Sequence, residues 1–152
     1  MDVVVLSLAD YRALAGFRHE LRRFLHFSEE AARDVGLEPQ QHQLLLAVRG
    51  MPDGTAATVG ALADRLQLRH HSTVELVDRS EARGIVRRAP HPGDRRQVIV
   101  ALTAAGAGLL RRLSLAHRTE LRTVAPRLVA VLGALGDRRP GPRQRRRRAR
   151  RG

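Results

Sequence analysis

All 28 basic residues of this chain are arginine; 15 carboxylates and seven histidines accompany them, and there is no cysteine. Spacing decides which chemistry such groups can do. Nucleophilic hydrolysis finds no place here. There is no Gly-x-Ser-x-Gly elbow, no His-Glu-x-x-His pair and no phosphate-cradling Walker loop, and Ser7, Ser28, Ser72, Ser80 and Ser114 have no local partner resembling a base. The sequence therefore does not read as an enzyme. Metal chemistry is poorly served too. Adjacent His70 and His71 point about 100° apart on a helix, no His-x-x-x-His pair falls on a predicted helix, and no thiolate can complete a tetrahedral site. Neither a metal nor a cofactor is expected.

Hydrogen bonding by arginine, histidine and small hydroxyls is what remains, and it concentrates in two segments. In the first, Arg69 to Arg83, helical spacing puts Thr73, Leu76, Val77 and Ser80 on one side, with His71, Ser72, Glu75 and Arg79 on the other. The first side packs and the second is free. Donors and acceptors in the first two turns of such a helix can reach base edges in a major groove. Glu75 has two readings: acceptor from a cytosine amino group, or i,i+4 ion-pair partner of Arg79 on a solvated face. In the second segment Arg95 and Arg96 extend from the turn His91-Pro92-Gly93-Asp94, where Gly93 allows a positive φ and Asp94 orients an arginine. An arginine there can enter a minor groove, where the negative potential is enhanced. The candidate contact set is Arg69, His70, His71, Ser72, Thr73, Glu75 and Arg79 from the helix, with Asp94, Arg95 and Arg96 from the turn.

The elements that must position these groups follow from periodicity. Leu14, Phe17, Leu21, Phe24, Leu25, Ala32 and Val35 form one stripe of a long helix over 10–35. A second helix, about 39–49, starts at Pro39 and stops at Gly50, before the turn GMPDGT. Thr58 is a suitable N-cap for a short third helix whose inner face is Val59, Leu62, Ala63 and Leu66. The Arg69–Arg83 helix comes next and ends at Gly84, after which IVRRA and RQVIVALT read as two strands. Helix, turn, helix and hairpin make a winged helix-turn-helix, mainly α with a small β-hairpin wing.

A chain of 152 residues suits one domain. Aromatics at 3% leave little for a base-stacking platform, so duplex is favoured over single strands. The net charge of +13 is uneven: residues 137–152 hold nine arginines and one aspartate, leaving +5 for residues 1–136. With Pro140, Pro142 and Ala149 as its one apolar residue, that tail is expected to be disordered. No apolar run approaches the roughly 18 to 20 residues of a membrane span, and a cytoplasmic protein without membrane contact is expected.

The segments VGALADRLQL, STVELVDRSEARGIVRR and PGDRRQVIVALTAAG together resemble the MarR family, with the Asp94-Arg95-Arg96 triplet and the Val-Ile-Val-Ala-Leu-Thr after Gln97 the most specific part. The resemblance runs from about residue 10 to 125. It implies a double-stranded-DNA-binding transcriptional regulator, by class a ligand-responsive repressor, working as a homodimer on a palindromic operator. In many members a small phenolic or other aromatic ligand binds near the junction. It also implies the layout: a MarR-like domain over 1–136, its DNA-binding part about 55–102, and dimerisation helices about 10–35 and 103–135. Some members sense zinc near the first, second and fifth helices, where His42 and His117 lie here. Two features depart from the pattern. Ser80 stands where leucine is usual, and Pro126 is expected to interrupt the terminal helix, leaving only a short helix over 127–135 and a weaker dimer. The alternative reading is an Arg-rich RNA- or ribosome-associated protein whose tail folds onto phosphates.

Overall fold

The computed structural model describes residues 6–136, which form α1 (Leu8–Asp34), α2 (Pro39–Arg49), α3 (Val59–Leu66), α4 (His70–Ala82), β1 (Val86–Pro90), β2 (Val98–Leu102) and α5 (Ala104–Gly136). The expected tail over 137–152 lies outside the described residues. The chain divides at residues 23/24 and 121/122 into a unit holding everything from Phe24 to Leu121 and a second unit made of the start of α1 and the end of α5.

Each boundary has a local cause. Ser7 and Asp10 cap the start of α1 reciprocally: the Ser7 backbone N–H donates to Asp10 Oδ2 at 2.7 Å and the Asp10 N–H to Ser7 Oγ at 3.3 Å. Pro39 opens α2, where a missing N–H costs nothing, and Gln41 Oε1 accepts from the Glu38 N–H at 3.2 Å. Thr58 Oγ1 accepts from the Ala61 N–H at 3.2 Å, the cap its sequence position indicates. Helices α1, α3 and α4 all stop in one way. A left-handed residue (Gly36, Gln67, Gly84) turns the chain so that the next N–H reaches back five residues: Leu37 to Ala32, Leu68 to Ala63, Ile85 to Ser80. Gln67 adopts this conformation without being glycine, and its side-chain amide donates to the Asp64 carbonyl at 2.7 Å.

The core of the larger unit gathers Ala32 from α1, Leu44 and Leu45 from α2, Leu62 from α3, Leu76 and Val77 from α4, Ile85, Val86 and Val100 from the hairpin, and Leu110 and Leu113 from α5. Ladder pairing runs antiparallel from Val86↔Leu102 to Pro90↔Val98. In the Arg88↔Val100 pair both N–H groups leave the ladder: that of Val100 donates to the Ala57 carbonyl at 2.9 Å, that of Arg88 to Glu81 Oε1 at 2.8 Å. Each edge of this two-stranded sheet thus has an outward N–H satisfied at its centre by a neighbouring element, a support a lone hairpin does not have.

Two expectations are corrected. Pro126 does not divide the last helix; α5 is one helix of 33 residues with the proline inside it. The proline forfeits a single bond, to the Arg122 carbonyl, while Leu, Ala and Val on both sides favour or tolerate helix, and packing holds the later turns: a Cβ on Gly16 of α1 would lie 3.8 Å from a Val131 methyl. In addition, Leu110, Leu113 and Val124, on the helix expected to serve dimerisation over 103–135, are buried within the chain, whereas Leu14 and Leu21 of α1 and Leu121 of α5 are exposed.

Candidate nucleic-acid interface

Helix α4 is anchored by a complete inner row: Thr73, Leu76, Val77 and Ser80 are all buried. Ser80, small and polar at a core position, donates from Oγ to the Leu76 carbonyl at 2.7 Å, so its hydroxyl is satisfied within its own helix. Opposite this row Arg69, His70, His71, Glu75 and Arg79 are exposed and Ser72 is half-buried. Thr73 must leave the contact set. It has no exposed surface, and its Oγ1 donates to the Arg69 carbonyl at 3.1 Å, fixing the first turn of the helix. The Glu75–Arg79 pair is not formed either. Arg79 Nε instead lies 3.5 Å from Glu38 Oε2 across to the start of α2, and the exposed Glu75 carboxylate has no ion-pair partner among the described residues.

The turn of the hairpin is built differently from expectation. Gly93 does not use a positive φ; among the described residues the left-handed glycines are Gly36, Gly54 and Gly84. His91 organises the turn: its Nδ1 accepts from the backbone N–H of Gly93 at 2.9 Å and of Asp94 at 3.0 Å, which puts the proton of the neutral ring on Nε2. Asp94 Oδ1 in turn accepts from the Arg96 backbone N–H at 3.1 Å and from Arg96 Nε at 3.2 Å. Asp94 thus orients an arginine, and that arginine is Arg96. Arg95, exposed at the same turn, makes no such bond within the described chain.

Sequence reading passed over the group that ties this hairpin to α4. Arg88 of β1 directs Nη2 to Asp78 Oδ1 at 2.6 Å and Nη1 to Glu81 Oε2 at 2.5 Å, both on α4, in addition to the backbone bond already described. The Arg88 backbone N–H, and then its guanidinium, hold the Glu81 carboxyl below the usual carboxylate range; Asp78, then Glu81, raise the Arg88 pKa. The signal available was a charged pattern, Asp78, Glu81 and Arg88, spanning the glycine turn.

Histidines 42 and 117 meet in the larger unit, their ring centroids 4.7 Å apart. His117 Nδ1 is 2.7 Å from the Leu113 carbonyl, which can only accept, so Nδ1 carries the proton and in the neutral ring Nε2 is the acceptor for Ser28 Oγ at 2.8 Å. Phe24 and Phe27 pack edge-on against the same ring. Burial, and then His117, lower the His42 pKa to about 4. Among the described residues, no group of three His, Asp or Glu gathers in a way that could hold a metal ion.

An open cleft of about 390 Å³ lies between the end of α2 and the start of α5, lined by apolar Leu102, Ala107 and Leu110 and by Arg49, Arg111 and Ser114. Among the described residues no helix is long and apolar enough to cross a membrane.

Comparison with known proteins places this geometry. A MarR family model matches residues 35–97. The HTH-type transcriptional repressor NicR of Pseudomonas putida is 37% identical over 95 residues, 61% of this chain and 57% of NicR. An uncharacterized HTH-type transcriptional regulator of Mycobacterium bovis is 36% identical over 87 residues, 57% of this chain and 59% of that protein. The match thus spans less than two thirds of either relative. Among solved structures, AbsC of Streptomyces coelicolor, a MarR family transcriptional regulator, aligns with a TM-score of 0.68 at 20% identity, covering 86% of this chain and 91% of AbsC. A Staphylococcus aureus MepR mutant bound to an oligodeoxyribonucleotide aligns at 0.57 and 17% identity, over 72% of this chain and 79% of that one. These structural likenesses establish the winged-helix fold.

Proposed function

We propose, since residues 35–97 of this chain match a MarR family model, that the protein is a sequence-specific double-stranded-DNA-binding transcriptional regulator acting as a homodimeric repressor. The observation that carries this reading is helix α4: a fully buried inner row fixes it, while His71, Ser72 and Glu75 are presented outward beside an arginine-tipped hairpin. Arg69, His70 and the Asp94-oriented Arg96 extend the polar surface, and Arg95 is the candidate for a minor groove. The naming of NicR as a repressor supports the sign of regulation. Exposed Leu14, Leu21, Leu121, Val129 and Leu132 on α1 and α5 support pairing through the terminal helices. The cleft lined by Arg49 and Arg111 together with apolar Leu102, Ala107 and Leu110 suits a small aromatic carboxylate or phenolate as effector. A winged domain favours duplex over the RNA reading, since a tail-driven RNA binder needs no arginine turn between two strands.

The test is selection from random duplexes by the purified chain, with light scattering in the same buffer. A palindrome with half-sites one turn apart, about 34 to 36 Å, is expected, together with twice the 16.9 kDa chain mass. Alanine at His71, Ser72 or Glu75 should change the selected bases, each good bidentate contact carrying about 1 to 3 kcal/mol of discrimination. Benzoate titrated into the complex should release the operator, and Arg111→Ala should blunt that release. No enriched sequence, or a monomer that still selects a palindrome, would count against the proposal.

Wing and tail should separate in a salt series on operator and random duplex. Removing residues 138–151 should weaken binding to all duplexes alike and flatten the slope of log affinity against log salt by roughly 0.9 per lost phosphate contact. Arg95→Ala should penalise operator more than random DNA, because groove width depends on sequence. If tail removal erases operator preference and Arg95→Ala changes nothing, the winged-helix mechanism fails.

A further inference from the structure

The two surfaces assigned to DNA sit on different elements, α4 and the β1–β2 hairpin, and a two-stranded hairpin is marginal on its own. Something must hold the wing at a fixed angle to the helix if one is to read a major groove while the other enters a minor groove. The Arg88 side chain lies between them. Its guanidinium spans two carboxylates one helical turn apart, Asp78 and Glu81, using Nη2 for one and Nη1 for the other. Glu81 also takes the Arg88 backbone N–H, which points out of the ladder because Arg88 faces Val100 in a pair whose N–H groups both leave the sheet. The Glu81 carboxylate therefore occupies the place of a third strand, and the far edge is held by Ala57. No other ion pair in the described chain joins α4 to the hairpin.

Resting on the DNA-binding reading above, we propose that Arg88 is a positioning residue for operator recognition: clamped by Asp78 and Glu81, it sets the wing against the recognition helix and touches no DNA itself. A guanidinium suits the task where an ammonium does not, because its fixed fork reaches both carboxylates at once while a lysine offers one point charge. The engagement has a second consequence. With both Nη atoms committed to carboxylates, Arg88 is not available for a phosphate, although it is one of the arginines nearest the wing in sequence.

Arg88→Gln and Glu81→Gln test this together because they change the charge in opposite directions. If Arg88 acted only as a positive charge near DNA, the first would weaken binding to every duplex and the second would strengthen it. If it acts as a clamp, both should lower the ratio of operator to random-duplex affinity, by at least about fivefold, the lower end of what one base contact discriminates. Both should change the salt slope alike, and hydroxyl-radical footprints of both should lose minor-groove protection by the wing. Arg88→Lys, which keeps one of the two ion pairs, retains the fold and should recover part of the ratio, so the reading survives a glutamine variant that fails to fold. Affinities that move in opposite directions, or a slope flattened by roughly 0.9 in Arg88→Gln alone, would overturn the clamp and put Arg88 on a phosphate. A wild type with an operator, and variants with unchanged ratios and footprints, would overturn the clamp alone. A wild type without any preferred duplex would overturn the DNA-binding proposal and the clamp with it.

Discussion

Alanine at Gly106 is expected to cost about 3 kcal/mol of stability or more, the largest loss from a methyl group added at any described glycine. A Cβ built at this position collides with the Ile85 carbonyl oxygen and comes within 2.9 Å of its carbon and 3.3 Å of its Cα. All three are backbone atoms and cannot rotate aside. They are also pinned, because the Ile85 carbonyl accepts from the Thr103 N–H at 3.2 Å, and Thr103 Oγ1 donates to the Gly84 carbonyl at 2.7 Å while accepting from the Gly106 N–H at 3.1 Å. Making room for the methyl would pull the start of α5 from the exit of α4 and break these bonds together. Gly108, two residues on, is the control: nothing lies within 4 Å of its would-be Cβ, so alanine there should stabilise the helix by roughly 0.5 to 1 kcal/mol. Urea titrations of both variants check the pair. Equal stability in the two would mean that α5 and the segment after Gly84 do not approach as closely as described.

How far the sequence carries depends on the range of the interaction involved. The faces of α4 could be read because a 3.6-residue period is local; Thr73, Leu76, Val77 and Ser80 all fall on the buried side that their spacing predicts. Caps are local as well, so Thr58, Pro39 and Gly84 mark helix ends correctly. Thr73 shows the limit of counting polar residues as contacts, since its hydroxyl serves its own helix. Gly93 was given a backbone role that His91 takes with its side chain, because a turn can be closed by either means and composition does not choose. At Pro126 packing overrides the local preference for a break. What remained out of reach was long-range: Arg88 meets Glu81 only once the chain has reversed at Gly84, and His42 meets His117 across 75 positions of sequence.

That second encounter leads to the other large effect, an acid limb of stability that one substitution should remove. His42 is 4% exposed, and the groups facing it are known from each element packed there: Phe24, Phe27 and Ser28 around the partner ring from α1, and His117 from α5. His117 is the titratable group among them, and it opposes a charge on His42, as does burial; no carboxylate offsets them. With the folded-state pKa lowered from 6.5 to about 4, the unfolded chain binds this proton first as pH falls. Stability contributed by the neutral ring is therefore fully present above pH 6.5, declines below it, and is gone once pH has fallen through about 4. Integrated over that window the loss is up to about 3 kcal/mol, a large share of what a domain of this size has. His42→Leu keeps the volume and cannot take up the proton, so its unfolding free energy should fall less steeply between pH 7 and pH 4, while at pH 7.5 the variant stays within about 1 to 2 kcal/mol of wild type. Comparing the two profiles cancels the carboxylates they share. Parallel profiles in urea titrations at pH 7.5, 6, 5 and 4 would mean that His42 takes up its proton in the folded state, with the ring pair opening to admit water. Because the pair joins α1, α2 and α5 beside the winged elements, operator affinity measured over the same pH range should then follow that opening in the wild type and not in the leucine variant.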